Sequence, residues 1–569
     1  MTSTTYRNVP DSRGTNVYRA DPAFAALLSI YMPEELRDML APQLDRMGAL
    51  VGDRLERLAL TADRNPPVLS LRNRAGAPEE RIEKHPAYEE MEQIAFGDFG
   101  LAAMSHRAGV FGSDAPLAPL AKYALVYLFV QAEFGLCCPL SMTDSLTRTL
   151  RKYGSDALIT RYVDGLTSQD MNDLAQGAMF MTEQAAGSDV GAIDTVAHEV
   201  DGEWRLSGEK WFCSNPDAEL AMVLARPEDG GEGTKGLSLF LLPRTLPDGS
   251  PNAYRIVRLK DKMGTRSMAS GEIVLEGATA YLVGDQGQGF KQMTDMINMS
   301  RLANGVRSAG LMRRSVSEAL FIARHRQAFG KRLIDMPLMR RQLAKMLTHA
   351  EQGRSMVFHT ARVLEAADSG DAHMAKVLRI LTPLIKFRTC RDARKVAGDA
   401  MEVRGGCGYI EEWSDARILR DAHLGSIWEG TSNIVALDVA RAARREGALD
   451  ALAGFLRDLL GQVGQPHTGE LGALLDRAVA GMDNAAGLSG DRQEEETRRA
   501  ATALYNVTSA VFLAWEGAQL AEAAHPLADD RMRLASLVVD HRLRPADPLA
   551  ASDAEPAWLS GLLDRAGVD

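Results

Sequence analysis

The strongest constraint on the fold is that strand-like sequence occurs in one block. Between about residues 178 and 285, short apolar runs rich in β-branched or large residues (Leu220–Ala225, Leu237–Leu242, Glu272–Leu275) alternate with Gly, Asp and Pro clusters. Inside this block, VAHEVDGEWRLSG puts Asp201-Gly202 between two alternating runs, which predicts a tight hairpin turn. The flanking regions read as helix. Leu302, Val306, Ala309, Val316, Leu320 and Ala323 recur at helical spacing and form one face of a long helix. A single β block between helical blocks excludes the alternating βα order of a doubly wound sheet. The expected class is therefore α+β, mainly α. It comprises an N-terminal helical domain over 1–175, a central β domain (a small barrel or sandwich) over 176–287, a C-terminal helical bundle over 288–445, and a helical extension over 446–569.

The remaining bulk features narrow the function. The formal charge of -11 argues against a general nucleic-acid binder, because such affinity rests on cations neutralising phosphates. No GxGxxG follows a strand; Gly284, Gly287 and Gly289 lie in GDQGQG, a polar loop leading into a helix with the wrong spacing. The five cysteines have no metal-ligand spacing and read as reduced thiols. The start, MTSTTYRNVPDSRG, shows neither a basic nor an apolar leader pattern, and the longest nearly uncharged apolar run, Tyr123–Val130, is far short of the roughly 20 residues that cross a bilayer. These features predict a cytoplasmic chain without a membrane span or metal.

Two segments stand out chemically. MTEQAAGSDVG, from Met181 to Gly191, offers free backbone N–H groups and the Ser188 hydroxyl to an anionic or carbonyl-rich ligand; read alone it is also a surface turn with an Asx cap. SIWEGTSNIVALDVAR, from Ser426 to Arg441, places Glu429 before Gly430, Thr431 and Ser432; read alone it is a helix-capping device. Between them lie GEKWFCSN (Gly208–Asn215), DKMGTRS (Asp261–Ser267), Arg301, HRQAFGKRL (His325–Leu333) and EVRGGCGYI (Glu402–Ile410). With these at such distances, residues from about 100 to 445 resemble the acyl-CoA dehydrogenase superfamily. NPPVL (Asn65–Leu69), HPAY (His85–Tyr88), FGKRLIDMPLM, SIWEG and the long extension resemble its AidB-like branch.

The resemblance implies an FAD enzyme acting on acyl-CoA thioesters, the chemistry of fatty acid metabolism. Glu429 would be the catalytic base that removes the α-proton while the β-hydrogen leaves as hydride to flavin N5. Some relatives place the base next to the arginine matched by Arg301; here that neighbour is Ser300, which cannot serve. Met181, Thr182, Gly187 and Ser188 would line the flavin ring, with Phe212 and Ser214 where Trp and Thr are usual. Arg326 and Phe329 would reach the FAD of a neighbouring subunit, which implies a homodimer or homotetramer. Gly405 and Gly406 would allow close backbone approach, and Thr431 and Asn433 would lie near the diphosphate. Ser188, Arg301, Trp428 and Gly430 would contact substrate, with Trp428 narrowing the acyl pocket. Glu402 and Pro337 depart from glutamines that commonly touch the adenosine half, so Glu402 is expected to turn away. An electron-transfer flavoprotein would accept the electrons. Two alternatives are an AidB-like DNA-associated protective flavoprotein and a flavin oxidase on a small non-CoA compound. Against DNA, residues from Asp450 onward carry ten Arg, no Lys and nineteen acidic residues.

Overall fold

The computed structural model describes residues 9–464, 467–545, 547, 549 and 555–567. The first eight residues, part of the start read above as lacking a leader, lie outside them. Strands begin earlier than the sequence suggests: β1 (Val68–Arg72) and β2 (Pro78–Glu83) form an antiparallel hairpin inside the region read as helical. The cause is local. Pro66 and Pro67 follow the helix Arg54–Arg64, and the Asn73 side chain accepts the backbone N–H groups of Ala75 and Ala77 at 3.0 and 3.1 Å, which closes the turn.

The central block forms β3 (Gly177–Phe180), β4 (Val196–Val200), β5 (Glu203–Ser214), β6 (Leu220–Pro227), β7 (Ser238–Pro243), β8 (Tyr254–Leu259) and β9 (Ser270–Leu282). β4 and β5 meet at the expected hairpin. Val200 pairs with Glu203, and Asp201 and Gly202 take φ of 53° and 81°, the left-handed backbone such a turn requires. β6 pairs with β4 and with β7, and β9 joins β5 to β7, so the pairing closes on itself. Phe180, Val223, Phe240, Leu242 and Ile273 fill the interior. The N-terminal hairpin is fastened to this sheet: Glu80 accepts the backbone N–H of Ile256 at 2.9 Å.

Two compact units result. The β unit gathers residues 57–122 and 133–303; the helical unit gathers residues up to Glu56, Tyr123–Ala132 and the chain from Asn304 on. In the helical unit, the Gly289–His325 helix from Asn304 on and the helices Pro337–Asp368, Ala372–Arg404 and Ser432–Arg445 continue into extension helices, among them Asp491–Glu522 and Ala528–Val538. The predicted stripe on the Gly289 helix is buried from end to end. A buried ion network joins the extension to the rest of this unit. Asp21 accepts from Arg354 at 2.7 Å and lies 3.0 Å from Arg313; Glu351 pairs with Arg354 and Arg531; Glu516 accepts from Arg531 at 2.8 Å, Ser355 at 2.9 Å and Tyr31 at 2.5 Å. Three buried acids thus face three buried arginines, an arrangement in which losing one partner costs about 3–5 kcal/mol. Among the described residues no helix is long and apolar enough to cross a membrane.

Candidate active site

The residues expected at the site fall into three local groups. The first lies in the β unit. The loop after β3 is tied to β5 by Trp211, whose N–H donates to the Thr182 carbonyl at 2.8 Å, which brings Thr182 next to the Trp211–Phe212 segment. The β5–β9 register slips between Lys210 and Cys213, and this bulge leaves Phe212 59% exposed. Lys260 Nζ lies 3.3 Å from the Trp211 ring centre and 4.8 Å from that of Phe212. Beneath the loop, Glu183 accepts from Lys210 Nζ at 2.6 Å, from Asp194 N–H at 2.7 Å and from the Thr195 backbone N–H at 3.2 Å. Burial pushes the Glu183 carboxyl up, but Lys210 and these donors outweigh it and hold it below its ordinary range. Burial pulls Lys210 down against the pull of Glu183. The loop is therefore pinned by a buried ion pair, not by an Asx cap: Asp189 makes no side-chain cap bond.

The second group is the turn between the helices Ser414–Gly425 and Ser432–Arg445. Glu429 takes φ 52° and Gly430 φ 103°, a reversal that projects two successive residues from left-handed backbone. Thr431 is the N-cap residue of the following helix and makes no side-chain cap bond. The Glu429 carboxylate accepts from the side-chain amide of buried Asn304. Buried Lys386 spans the turn, donating to the Gly425 carbonyl at 2.7 Å and the Gly430 carbonyl at 3.2 Å. The Arg307 guanidinium lies 5.0 Å from the Trp428 ring centre. Arg301 is buried, and so is Ser300. Sequence reading missed Asn304, Arg307 and Lys386. Their one available signal is that Asn304, Arg307 and Ser308 recur at i, i+3 and i+4, a polar face beside the apolar stripe of the same helix.

The third group follows that helix's C-terminal end. Arg326 donates from Nη1 to the Arg404 carbonyl at 3.0 Å, next to Gly405. Phe329, at φ 51° in the tip of a short hairpin, is 96% exposed. Gly405 has φ 73° and ψ −146°, a conformation close to glycine-only, and a side chain at Gly406 would meet nothing within 4 Å. Glu402 is exposed beside this turn and accepts from Gln342 at 3.4 Å, while Pro337 opens its helix. These features suit a dinucleotide. Glycine backbone lies open, and the N–H groups at the start of the helix Ser432–Arg445, beside Thr431 and Asn433, can receive a diphosphate.

Three family models cover this architecture in order: "Adaptive response protein AidB N-terminal domain" over residues 8–173, "Acyl-CoA dehydrogenase, middle domain" over 178–278, and "Acyl-CoA dehydrogenase, C-terminal domain" over 287–444. Together with a helix–barrel–helix fold, they define an oxidoreductase of the FAD-dependent class. The chain belongs to the acyl-CoA dehydrogenase family, with an AidB-type N-terminal domain. It is 32% identical to "Putative acyl-CoA dehydrogenase AidB" of Escherichia coli over 92% of this chain and 93% of that one. It is 34% identical to "Acyl-CoA dehydrogenase family member 11" of Caenorhabditis elegans over 78% and 74%. Among solved structures, Caenorhabditis elegans ACDH-11 in complex with C11-CoA superposes with a TM-score of 0.87 at 28% identity, covering 95% of this chain and 93% of that one. The family, the fold and the FAD dependence expected from the sequence all agree with these matches.

Proposed function

We propose that this protein dehydrogenates an acyl-CoA thioester between its α and β carbons, with Glu429 as the general base. The observation that carries the reading is the Glu429 turn itself. Its carboxylate extends from a left-handed backbone and accepts from the side-chain amide of buried Asn304. FAD, when bound, supplies the hydride acceptor at flavin N5. The chain's own part is to take the α-proton onto a Glu429 oxygen as the Cβ–H bond pair departs and the Cα–Cβ double bond forms. Ser188, Arg301, Trp428 and Gly430 hold the acyl thioester, and Trp428, backed by Arg307, narrows the space for the acyl chain. Met181, Thr182, Gly187, Ser188, Phe212 and Ser214 hold the flavin ring. Arg326, Phe329, Gly405, Gly406, Thr431 and Asn433 hold the diphosphate and adenosine half.

A thioester of the C11-CoA kind is within reach of this reading, because the ACDH-11 structure similar to this chain is a complex with C11-CoA. The reduced enzyme passes its electrons to an electron-transfer flavoprotein in the cytoplasm. The test is anaerobic mixing of the FAD-loaded protein with acyl-CoAs of graded length while recording the visible flavin absorbance. Bleaching by at least one thioester, with the 2-enoyl product recovered, is the expected result; a flavin left oxidised by the whole series overturns the reading.

A further inference from the structure

We propose that Arg404 is a positioning residue for the Gly405–Gly406 turn, and that ionised Asp415 holds it in place and so makes cofactor affinity depend on pH. The inference rests on the reading that Arg326, Gly405 and Gly406 contact FAD. Arg404 is the last residue of its helix and is buried. Its Nε donates to Asp415 at 2.6 Å and its Nη2 to Glu318 at 2.6 Å, while the guanidinium lies 4.5 Å from the Trp413 ring centre. The Nη1 nitrogen of Arg404 meets no acceptor among the described residues, so the two carboxylates are what fix the group. On the backbone side, the Arg404 carbonyl receives Arg326, and the next residue is Gly405 in its near glycine-only conformation. Rotating Arg404 would therefore move both Arg326 and the start of the glycine turn.

The cluster around Asp415 has more acids than cations. The Gly289 helix contributes Glu318 and Arg314, which lie 3.0 Å apart, and Glu318 also accepts from Ser12 at 2.6 Å. The helix Arg54–Arg64 contributes Glu56, 3.4 Å from Arg314 and 3.6 Å from Arg417; the helix of Asp415 adds Arg417 and Asp421, 3.7 Å apart. Glu56, Glu318, Asp415 and Asp421, with Asp11 of the N-terminal segment and its partner Arg13, thus surround Arg314, Arg404 and Arg417. Burial, opposed by Arg404 and reinforced by Glu318, pushes the Asp415 carboxyl up to about 6. Above that pH the carboxylate grips Arg404 with a charge-assisted bond; below it the neutral acid holds it only weakly.

The test is the FAD dissociation constant of the apo-protein, read from flavin fluorescence between pH 5 and 8, for wild type, Asp415→Asn and Gly406→Val. Wild type should bind FAD about tenfold more weakly at pH 5 than at pH 7.5. Asp415→Asn should bind weakly throughout, without that slope. A wild-type curve that is flat across pH 6, or a slope that survives in Asp415→Asn, overturns the inference. Should Asp415→Asn fail to fold, the wild-type curve alone decides. Unchanged affinity in Gly406→Val, or no FAD uptake by wild type, instead defeats the reading of the turn as a cofactor contact.

Discussion

The side-chain amide of Asn304 donates to the carboxylate of Glu429, two residues 125 positions apart in sequence. Asn304 is fully buried in a long helix, so its amide is a fixed donor to the carboxylate. Lys386 fixes the backbone of the same turn at Gly425 and Gly430. The proposed base sits on a sharp left-handed turn and needs such support, because local propensity does not favour that backbone.

Asn304→Ala should therefore slow flavin reduction while leaving FAD bound. A hydrogen bond to a charged group contributes about 1.5–3 kcal/mol, which corresponds to a rate loss of roughly ten- to a hundredfold. Stopped-flow reduction by a reactive acyl-CoA, alongside the flavin content of the purified variant, measures both. Loss of FAD with an unchanged rate per bound flavin would place Asn304 in cofactor binding instead.

The Glu183–Lys210 pair makes the β unit sensitive to acid. The Glu183 carboxyl is held below its ordinary value, so its contribution to stability is complete above the ordinary carboxylate range and disappears as pH falls through the folded value. Acid also leaves the buried Lys210 ammonium without its partner. Urea midpoints at pH 7 and pH 3.5 should differ more for wild type than for Glu183→Gln. Lys210→Met should cost about 3–5 kcal/mol at neutral pH, since it strands a buried carboxylate.

Phe329 is 96% exposed in a left-handed hairpin tip next to Arg326, an unusual place for a large apolar ring in a lone chain. The proposed homodimer or homotetramer would cover it. Sedimentation at micromolar concentration should show a dimer or larger, and Arg326→Glu should weaken both assembly and FAD retention. A wild-type monomer with stoichiometric FAD would contradict this.

Duplex DNA should bind weakly at physiological salt. Seven arginines of the extension are spent on ion pairs: Arg457, Arg492, Arg499, Arg531, Arg533, Arg544 and Arg565 face Asp476, Glu495, Glu496, Glu516, Asp530, Glu470 and Asp530. Arg391, pulled down by burial and by Arg498 and Arg394, marks a local cationic group. Fluorescence anisotropy with a labelled duplex should stay above micromolar. Tighter binding with a steep salt slope that is lost in Arg391→Glu would make that group a DNA contact.

Much of this was legible in the sequence, for definite reasons. The Asp201-Gly202 hairpin and the buried stripe from Leu302 to Ala323 follow from turn chemistry and periodicity, which act over a few residues. The β1–β2 hairpin escaped because short, largely exposed strands between helices carry little alternation. The residues of the Glu429 turn stand out in the sequence because they are contiguous. Asn304, Arg307 and Lys386 were not, because their value depends on which distant carbonyl, ring or carboxylate the fold brings to them. The same holds for the buried network around Glu351, where each charge reads in isolation as a solvated helix face.

The most direct test of the central claim is Glu429→Gln. The amide keeps the shape of the side chain and an oxygen for Asn304, so folding, FAD content and thioester binding should match wild type. It cannot take a proton from a thioester α-carbon at neutral pH, and Ser300 offers no substitute. Single-turnover flavin reduction, by a thioester already shown to bleach the wild type, should fall by about 10²- to 10⁴-fold or more. Reduction within a few-fold of the wild-type rate would remove Glu429 from the chemistry and leave the turn with a structural role alone.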